Sequence, residues 1–431
     1  MSGKKMISFL GTSAYKAGVY VFGGRSKETR FVQAALAAIF QPSEVVVFLT
    51  QGARERNWQS PSGSEGKDGD LRLKGLEDTV RIEVPSIRFR GRDIPDGSNE
   101  EEIWAIFQEI LDEVEEGDEI IFDVTHSFRS IPILALACIQ YLRTLKGVKL
   151  GGIYYGAWEA RRDSADGGLP EVPVFDLTPF AALMDWSQAI AEFERSGSVE
   201  AMKALIEEEV IPRRRESRGK DAEAVQLDEL SKRLARLNDT VTTCRGKILY
   251  ETDFVGDIRA RVEELKRLPN TLPAFYPLLE RLAAKLDLLV VASPGLSEDI
   301  RRGLGAVNWC LHHGLVQQGY TLLTETILTY FCLKGGLDWV KMENRGDVSA
   351  VLNKIGRKEP LQGHVYGDSS SLADCRSRLP ETLFLDYEKL ARRRNDINHS
   401  EMKQDSAKAD KLKKELGTFY TGFLDYLRSC N

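Results

Sequence analysis

The chain has little of what would tie it to an oxidising compartment, a membrane or a bound metal. Its six cysteines, at positions 138, 244, 310, 332, 375 and 430, form no C-x-x-C pair and no short regular framework. That excludes a disulfide scaffold and a zinc ribbon, and leaves reduced thiols. No segment offers the ~20 uninterrupted apolar residues of a membrane span. Met1-Ser2-Gly3-Lys4-Lys5 leads into a strand without the apolar run of a signal peptide. A cytoplasmic protein with no membrane partner is expected. Neither sign of charge dominates: 59 Lys and Arg stand against 65 Asp and Glu, a net charge of −6. A broad basic platform for nucleic acid is therefore not expected, and any RNA contact should be local or shared between subunits. No G-x-G-x-x-G follows the first strand, which disfavours a dinucleotide oxidoreductase.

What is present divides into three parts. At 431 residues, 42% of them hydrophobic, the chain is too long for one core of ordinary size. Over residues 1–178, β and α patterns alternate. Met6-Ile7-Ser8-Phe9-Leu10, Val45-Val46-Val47-Phe48-Leu49 and Glu119-Ile120-Ile121-Phe122-Asp123-Val124 read as buried strands, with others over 18–22, 79–84, 152–155 and 172–175. Helices are expected over 28–40, 99–115 and 131–147, and an exposed loop over 59–70. The pattern predicts an α/β, Rossmann-like domain: an open, mostly parallel sheet with helices on both faces. Residues 179–294 read as an all-α connector, broken at 212–220 by a basic, helix-breaking linker, and residues 295–431 as an all-α domain.

In such sheets ligands sit beyond the C-terminal strand ends. Three polar loops fall there: Gly11-Thr12-Ser13, Thr50-Gln51-Gly52-Ala53 and Thr125-His126-Ser127, with Asp123 and Arg129 beside the last as further candidates. Gly11 permits close backbone approach, the hydroxyls donate hydrogen bonds, and the helix opening near Ile131 offers free N–H groups to a phosphate. An anionic ligand fits this description. The alternative is that the hydroxyls cap turns and helices and that Asp123 holds only its own loop.

Near the C-terminus stands Arg394-Asn395-Asp396-Ile397-Asn398-His399. Histidine moves a proton near neutral pH, and arginine stays cationic. Cleavage of an RNA phosphodiester needs that pair, one to exchange a proton during attack of the 2′-hydroxyl, the other to stabilise charge on the non-bridging oxygens. No metal is required. On an ideal helix Asn395 and His399 share a face, whereas Arg394 and His399 lie roughly 140° apart. Arg394 would have to curl round, or a second chain would have to complete the pocket. A solvated helix face is the alternative. His312, His313 and Cys310 lack a fourth ligand at zinc spacing and are expected in the core or at the surface.

Leu10-Gly11-Thr12-Ser13-Ala14-Tyr15, Asp123-Val124-Thr125-His126-Ser127-Phe128-Arg129 and Ile153-Tyr154-Tyr155-Gly156-Ala157 resemble the strand-end motifs of the CRISPR-associated Rossmann fold (CARF) domain. The most similar branch is that of the Csx1 and Csm6 type III effectors, including the group marked by Asp-x-Thr-His-Gly. Ser127 stands where that signature has glycine. The stretch from Val307 to Glu325 resembles the first helices of the HEPN domain of Csx1 proteins, and Arg394-Asn395-x-x-x-His399 is similar to that family's Arg-x4-His ribonuclease motif. The resemblance implies a CARF domain that binds cyclic oligoadenylate, with four adenylates (cA4) the commonest ring for Csx1-like members. It implies an HEPN site with Arg394 and His399 catalytic and Asn395 in support, formed between two copies in a homodimer or higher oligomer.

The expected function is a cyclic oligoadenylate-activated, metal-independent endoribonuclease of type III CRISPR defence, cutting single-stranded RNA to a 2′,3′-cyclic phosphate. Whether His399 acts as base, acid or phosphate donor stays open. Two rivals remain: a non-enzymatic CARF-type regulator that binds nucleic acid or protein, and a ring nuclease that degrades its own ligand at Thr12, Ser13 and His126.

Overall fold

The computed structural model describes residues 3–60, 74–126, 131–268, 276–292, 295–357, 359, 381–402 and 406–429. The chain forms two compact units, Met1–Ala182 and Leu183–Asn431.

The first unit is built on eight strands: β1 (Lys4–Leu10), β2 (Gly18–Phe22), β3 (Arg25–Thr29), β4 (Glu44–Leu49), β5 (Arg88–Asp93), β6 (Glu119–Asp123), β7 (Lys149–Gly156) and β8 (Glu171–Asp176). They lie in the order β3-β2-β8-β7-β6-β1-β4-β5. The run from β7 through β6, β1 and β4 to β5 is parallel, and β8 is antiparallel to β7. Successive residues of a strand face opposite sides. Val45, Val47 and Leu49 accordingly pack on one face with α1 (Val32–Phe40), whereas Val46 and Phe48 join the core on the other. The direction of strand addition reverses beside β1, between β6 and β4, so the crevice beyond these strand ends is the expected ligand position.

Three element assignments need correction. The helix read over 28–40 begins only at Val32, because β2 and β3 form a hairpin across Gly23 (φ 54°) and Gly24 (φ 78°). Two left-handed residues make the tight turn whose twist suits a hairpin. The strand read over 79–84 is a helix. After α2 (Gln51–Ala53), which runs on as a π-helical segment over Arg54–Trp58, α3 (Leu76–Glu83) buries Leu76, Thr79 and Val80 and leaves Ile82 exposed. Helical spacing i, i+3, i+4 accounts for the burial. The strand next to β4 is instead the arginine-rich β5, an edge on which Arg90 pairs with Glu44 and Glu113 and Arg92 with Glu109. Charge on an edge strand discourages pairing with another chain. Helices α4 (Glu100–Asp112) and α5 (Ile131–Lys146) cover the second face. Of the loop expected over 59–70, residues 61–70 lie outside the described residues.

Helix α6 (Thr178–Ser196) leads into the second unit, with α7 (Glu200–Leu205), α8 (Ile211–Glu216), α9 (Ala222–Thr242), α10 (Gly246–Glu251), α11 (Phe254–Lys266) and α12 (Tyr276–Lys285). Then come α13 (Glu298–His313), α14 (Val316–Lys334), α15 (Met342–Gly356), α16 (Glu381–Asn398) and α17 (Ala409–Ser429). The expected connector and the final helices share one hydrophobic core, which runs from Ala189 to Leu427. The linker read over 212–220 is half helix: Pro212 is the second residue of α8, directly after the π-helical segment Ile206–Val210. Two of its four arginines are paired with carboxylates, Arg213 with Asp221 (2.9 Å) and Glu223 (2.7 Å) and Arg214 with Asp228. Among the described residues, no helix is long and apolar enough to cross a membrane.

Candidate functional site

The ends of β1, β4 and β6 enclose a cavity of about 280 Å³. Gly11, Thr12, Ser13, Thr50, Thr125 and His126 line it, over an apolar floor of Phe9, Leu10, Phe48 and Ile94. Residues from all three loops expected to touch an anionic ligand thus meet in one crevice. Gln51 and Gly52 lie on the next turn, Gln51 donating to Glu55 at 3.0 Å and Gly52 so close that a Cβ would stand 3.3 Å from Thr12 Cγ2. Ser127 and Arg129 lie outside the described residues.

Asp123 is a correction: it is fully buried and stands behind the wall rather than in it. Its Oδ2 accepts from Ser8 Oγ at 2.6 Å and its Oδ1 from Thr125 N at 3.0 Å. Thr125 Oγ1 in turn accepts from Gly156 N at 2.8 Å, so the ends of β6 and β7 are fastened together. Burial pushes the Asp123 carboxyl upward against these hydrogen bonds. Thr50 does both things foreseen for it, lining the cavity and capping α2 by accepting from Ala53 N at 3.3 Å.

His126 packs edge-on to Tyr15, with ring centres 4.4 Å apart, and burial lowers its pKa to about 4 against the attraction of Glu159. It is therefore neutral at pH 7 and meets a ligand as a hydrogen-bonding group, not as a fixed charge. Tyr15 also accepts from Gly11 N at 2.8 Å, and Asn57 Nδ2 donates to the carbonyls of Gly11 (2.7 Å) and Ser13 (2.9 Å). These two side chains shape the first loop and were missed in the sequence. Asn57 lies 44 and more positions from the groups it holds, so no local pattern announces it.

In the second unit, helix α16 carries Arg394 and Asn395, and His399 follows its last residue. His399 N still donates to Asn395 O at 3.0 Å, so helical geometry persists to the imidazole, which is exposed. Directly after it the backbone turns left-handed at two non-glycine residues, Ser400 (φ 51°) and Glu401 (φ 66°). Such a pair is costly and persists only where its surroundings demand it. Buried Asp396 supplies the demand, accepting from Glu401 N through its carbonyl (3.3 Å) and from Ala407 N through Oδ2 (2.8 Å).

Arg394 points away from this turn. Its Nη2 donates to Asn395 Oδ1 at 3.3 Å, and its Nη1 lies 3.5 Å from Glu325 Oε1 on α14. Among the described residues no hydrogen bond joins Arg394 to His399, so the 140° separation of an ideal helix is not closed within one chain. His312 and His313 each donate Nδ1–H to the carbonyl four residues back, at 2.9 Å, and Cys310 is buried.

Residues 5–158 match the family described as the CARF domain of CRISPR system endoribonuclease Csx1. The chain is also 26% identical, over 316 residues, to the CRISPR-associated protein MJ1674 of Methanocaldococcus jannaschii. That alignment covers 71% of this chain and 41% of the relative, so it extends past the first unit while spanning less than half of the other protein. Residues 5–158 of the first unit thus carry a Csx1-type CARF domain, and the chain as a whole is similar to CRISPR-associated proteins of that kind.

Proposed function

We propose that the protein is a cyclic oligoadenylate-activated endoribonuclease of type III CRISPR defence that cuts single-stranded RNA without a metal. The observation that carries the reading is the cavity at the switch point of the CARF sheet, where backbone and hydroxyls of the first loop face Thr50, Thr125 and His126. At about 280 Å³ it falls near the small end of the ~300–1,000 Å³ typical of small-molecule sites. It suits one nucleotide of a ring, and a second copy related by a two-fold axis would take up the rest. The floor receives an adenine face, and the neutral His126 and the hydroxyls receive sugar and phosphate.

In this reading the second unit contains an HEPN domain, and the reaction needs two copies. Arg394 stabilises the non-bridging oxygens while the 2′-hydroxyl attacks the adjacent phosphorus. His399 exchanges a proton with the attacking or leaving oxygen, or donates a hydrogen bond to the phosphate. The products are a 2′,3′-cyclic phosphate and a 5′-hydroxyl. Ligand binding favours the arrangement in which Arg394 of one copy and His399 of either copy converge, and so shifts an existing balance.

The test is cleavage of fluorescent single-stranded RNA in EDTA, with and without each cyclic oligoadenylate, by the wild type and by His399→Ala. Cutting that needs both the activator and His399 supports the reading. Activator-dependent cutting undiminished in the variant removes the proposed site. Ring binding without RNA cutting by the wild type points to a regulator, and ring degradation alone points to a ring nuclease.

A further inference from the structure

We infer that Glu325 is a positioning residue for Arg394, and that Arg345 holds Glu325 in place while leaving the Arg394 charge available to a phosphate. The inference rests on the ribonuclease reading and concerns residues to which neither the motif nor the family match assigns a role. Helix α14 is buried along most of its length, including Leu322, Leu323, Thr324, Thr326 and Ile327. Glu325 itself keeps 33% of its side chain exposed, and the burial of the rest still favours a partner for its charge. Glu325 has two, and they hold it very differently.

Arg345 engages with every donor it owns. Its Nε and Nη2 donate to Glu325 Oε2 (3.1 and 2.5 Å), Nη2 also to Glu325 O (2.9 Å), and Nη1 to Thr329 Oγ1 (3.0 Å) and Trp339 O (2.9 Å). A guanidinium has five N–H groups. All five are committed, and with 11% of the side chain exposed Arg345 has nothing left for RNA. Arg394 is held loosely instead. Its contacts to Glu325 Oε1 and Asn395 Oδ1 are 3.5 and 3.3 Å, and its Nε is buried with no acceptor. Charge-assisted hydrogen bonds at full strength close to about 2.8 Å.

One carboxylate oxygen is thus spent on Arg345, and the other gives Arg394 a direction without neutralising it. Two guanidiniums against one carboxylate leave a net positive charge, and the half-exposed Arg394 is the member able to deliver it. Oxygens of a phosphate gaining charge are stronger acceptors than either present contact, so Arg394 turns to them with little to break. A carboxylate free of Arg345 would clamp Arg394 in a bidentate pair and quench it.

The experiment measures kcat and KM for RNA at saturating activator, cyclic oligoadenylate binding, and the unfolding midpoint, in the full-length protein. Glu325→Ala is expected to lower kcat about tenfold or more with KM little changed, and Glu325→Gln, which keeps an acceptor there, to recover most of it. Arg345→Met should lower kcat further, and adding Glu325→Gln to Arg345→Met should raise it again, a rescue that lost packing alone does not produce. Wild-type kcat in Glu325→Ala overturns the inference, as does absence of the rescue. Cutting without activator by Glu325→Ala also overturns it, by making the pair a lock. His399→Ala separates the two readings: if it is silent while Glu325→Ala equals the wild type, only this inference falls. If the wild type itself never cuts, both fall.

Discussion

Ser8 Oγ donates to Asp123 Oδ2 at 2.6 Å across 115 positions of sequence, joining β1 and β6 where the sheet changes direction. The bond is buried at both ends. It holds the two loops that frame the cavity at a set separation, so a residue that no ligand reaches decides the width of the crevice.

Replacing Asp123 by alanine should leave Ser8 Oγ and Thr125 N without their acceptor. Each orphaned buried group costs about 1–3 kcal/mol, partly offset by removal of a carboxyl whose ionised form burial already disfavours. A loss of about 2 kcal/mol is expected, with a smaller loss for Asp123→Asn. Urea unfolding and hydrogen exchange of the β1 and β6 amides would register it, together with weaker cyclic oligoadenylate binding.

His126 should make stability depend on pH. Its folded pKa of about 4 lies below the ordinary 6.5, so the unfolded chain binds the proton more readily. Its contribution is complete above pH 6.5 and is lost as pH falls toward 4. From pH 6.5 to 5 the loss is about 2 kcal/mol. Asp123, raised by burial, works in the opposite direction. The His126 part is therefore read as the difference between wild type and His126→Gln, and that difference should shrink steadily over this range.

Arg394→Ala and His399→Ala should each lower activated RNA cutting by at least about a hundredfold, in EDTA as in magnesium, and leave cyclic oligoadenylate binding within about twofold. Gel assays and calorimetry check the two halves. A fall in ring binding equal to the fall in cutting would contradict the assignment.

Gly305 on α13 should tolerate no side chain. An added Cβ would stand 2.0 Å from Leu289 O, a backbone atom that has no rotamer to yield. Gly305→Ala should cost about 2–3 kcal/mol or more through displacement of the chain at Leu286–Leu289, visible as a lowered Tm.

Strands such as Val45-Val46-Val47-Phe48-Leu49 were legible because an apolar run of that length fits a sheet covered on both faces. The loops at Gly11 and Thr125 were legible because strand, polar turn and helix follow one another in sequence. The arginine-rich β5 was not, since its place comes from pairing with β4 and from Glu44, Glu109 and Glu113, which its own residues do not display. Arg394 and His399 were named from their spacing, but Glu325 and Arg345, 69 and 49 positions before Arg394, were not.

The amino-acid order alone determined that β and α units alternate through the first unit, that helices fill the second, and which side chains carry proton and charge chemistry, because periodicity and side-chain type are local properties. Tertiary structure alone decided that Asp123 props the crevice instead of lining it, that Asn57 and Tyr15 shape its first loop, and that Arg394 leans on Glu325 rather than toward His399. Those outcomes depend on which distant groups burial forces together, and hydrogen-bond partners in a folded interior are chosen by proximity in space.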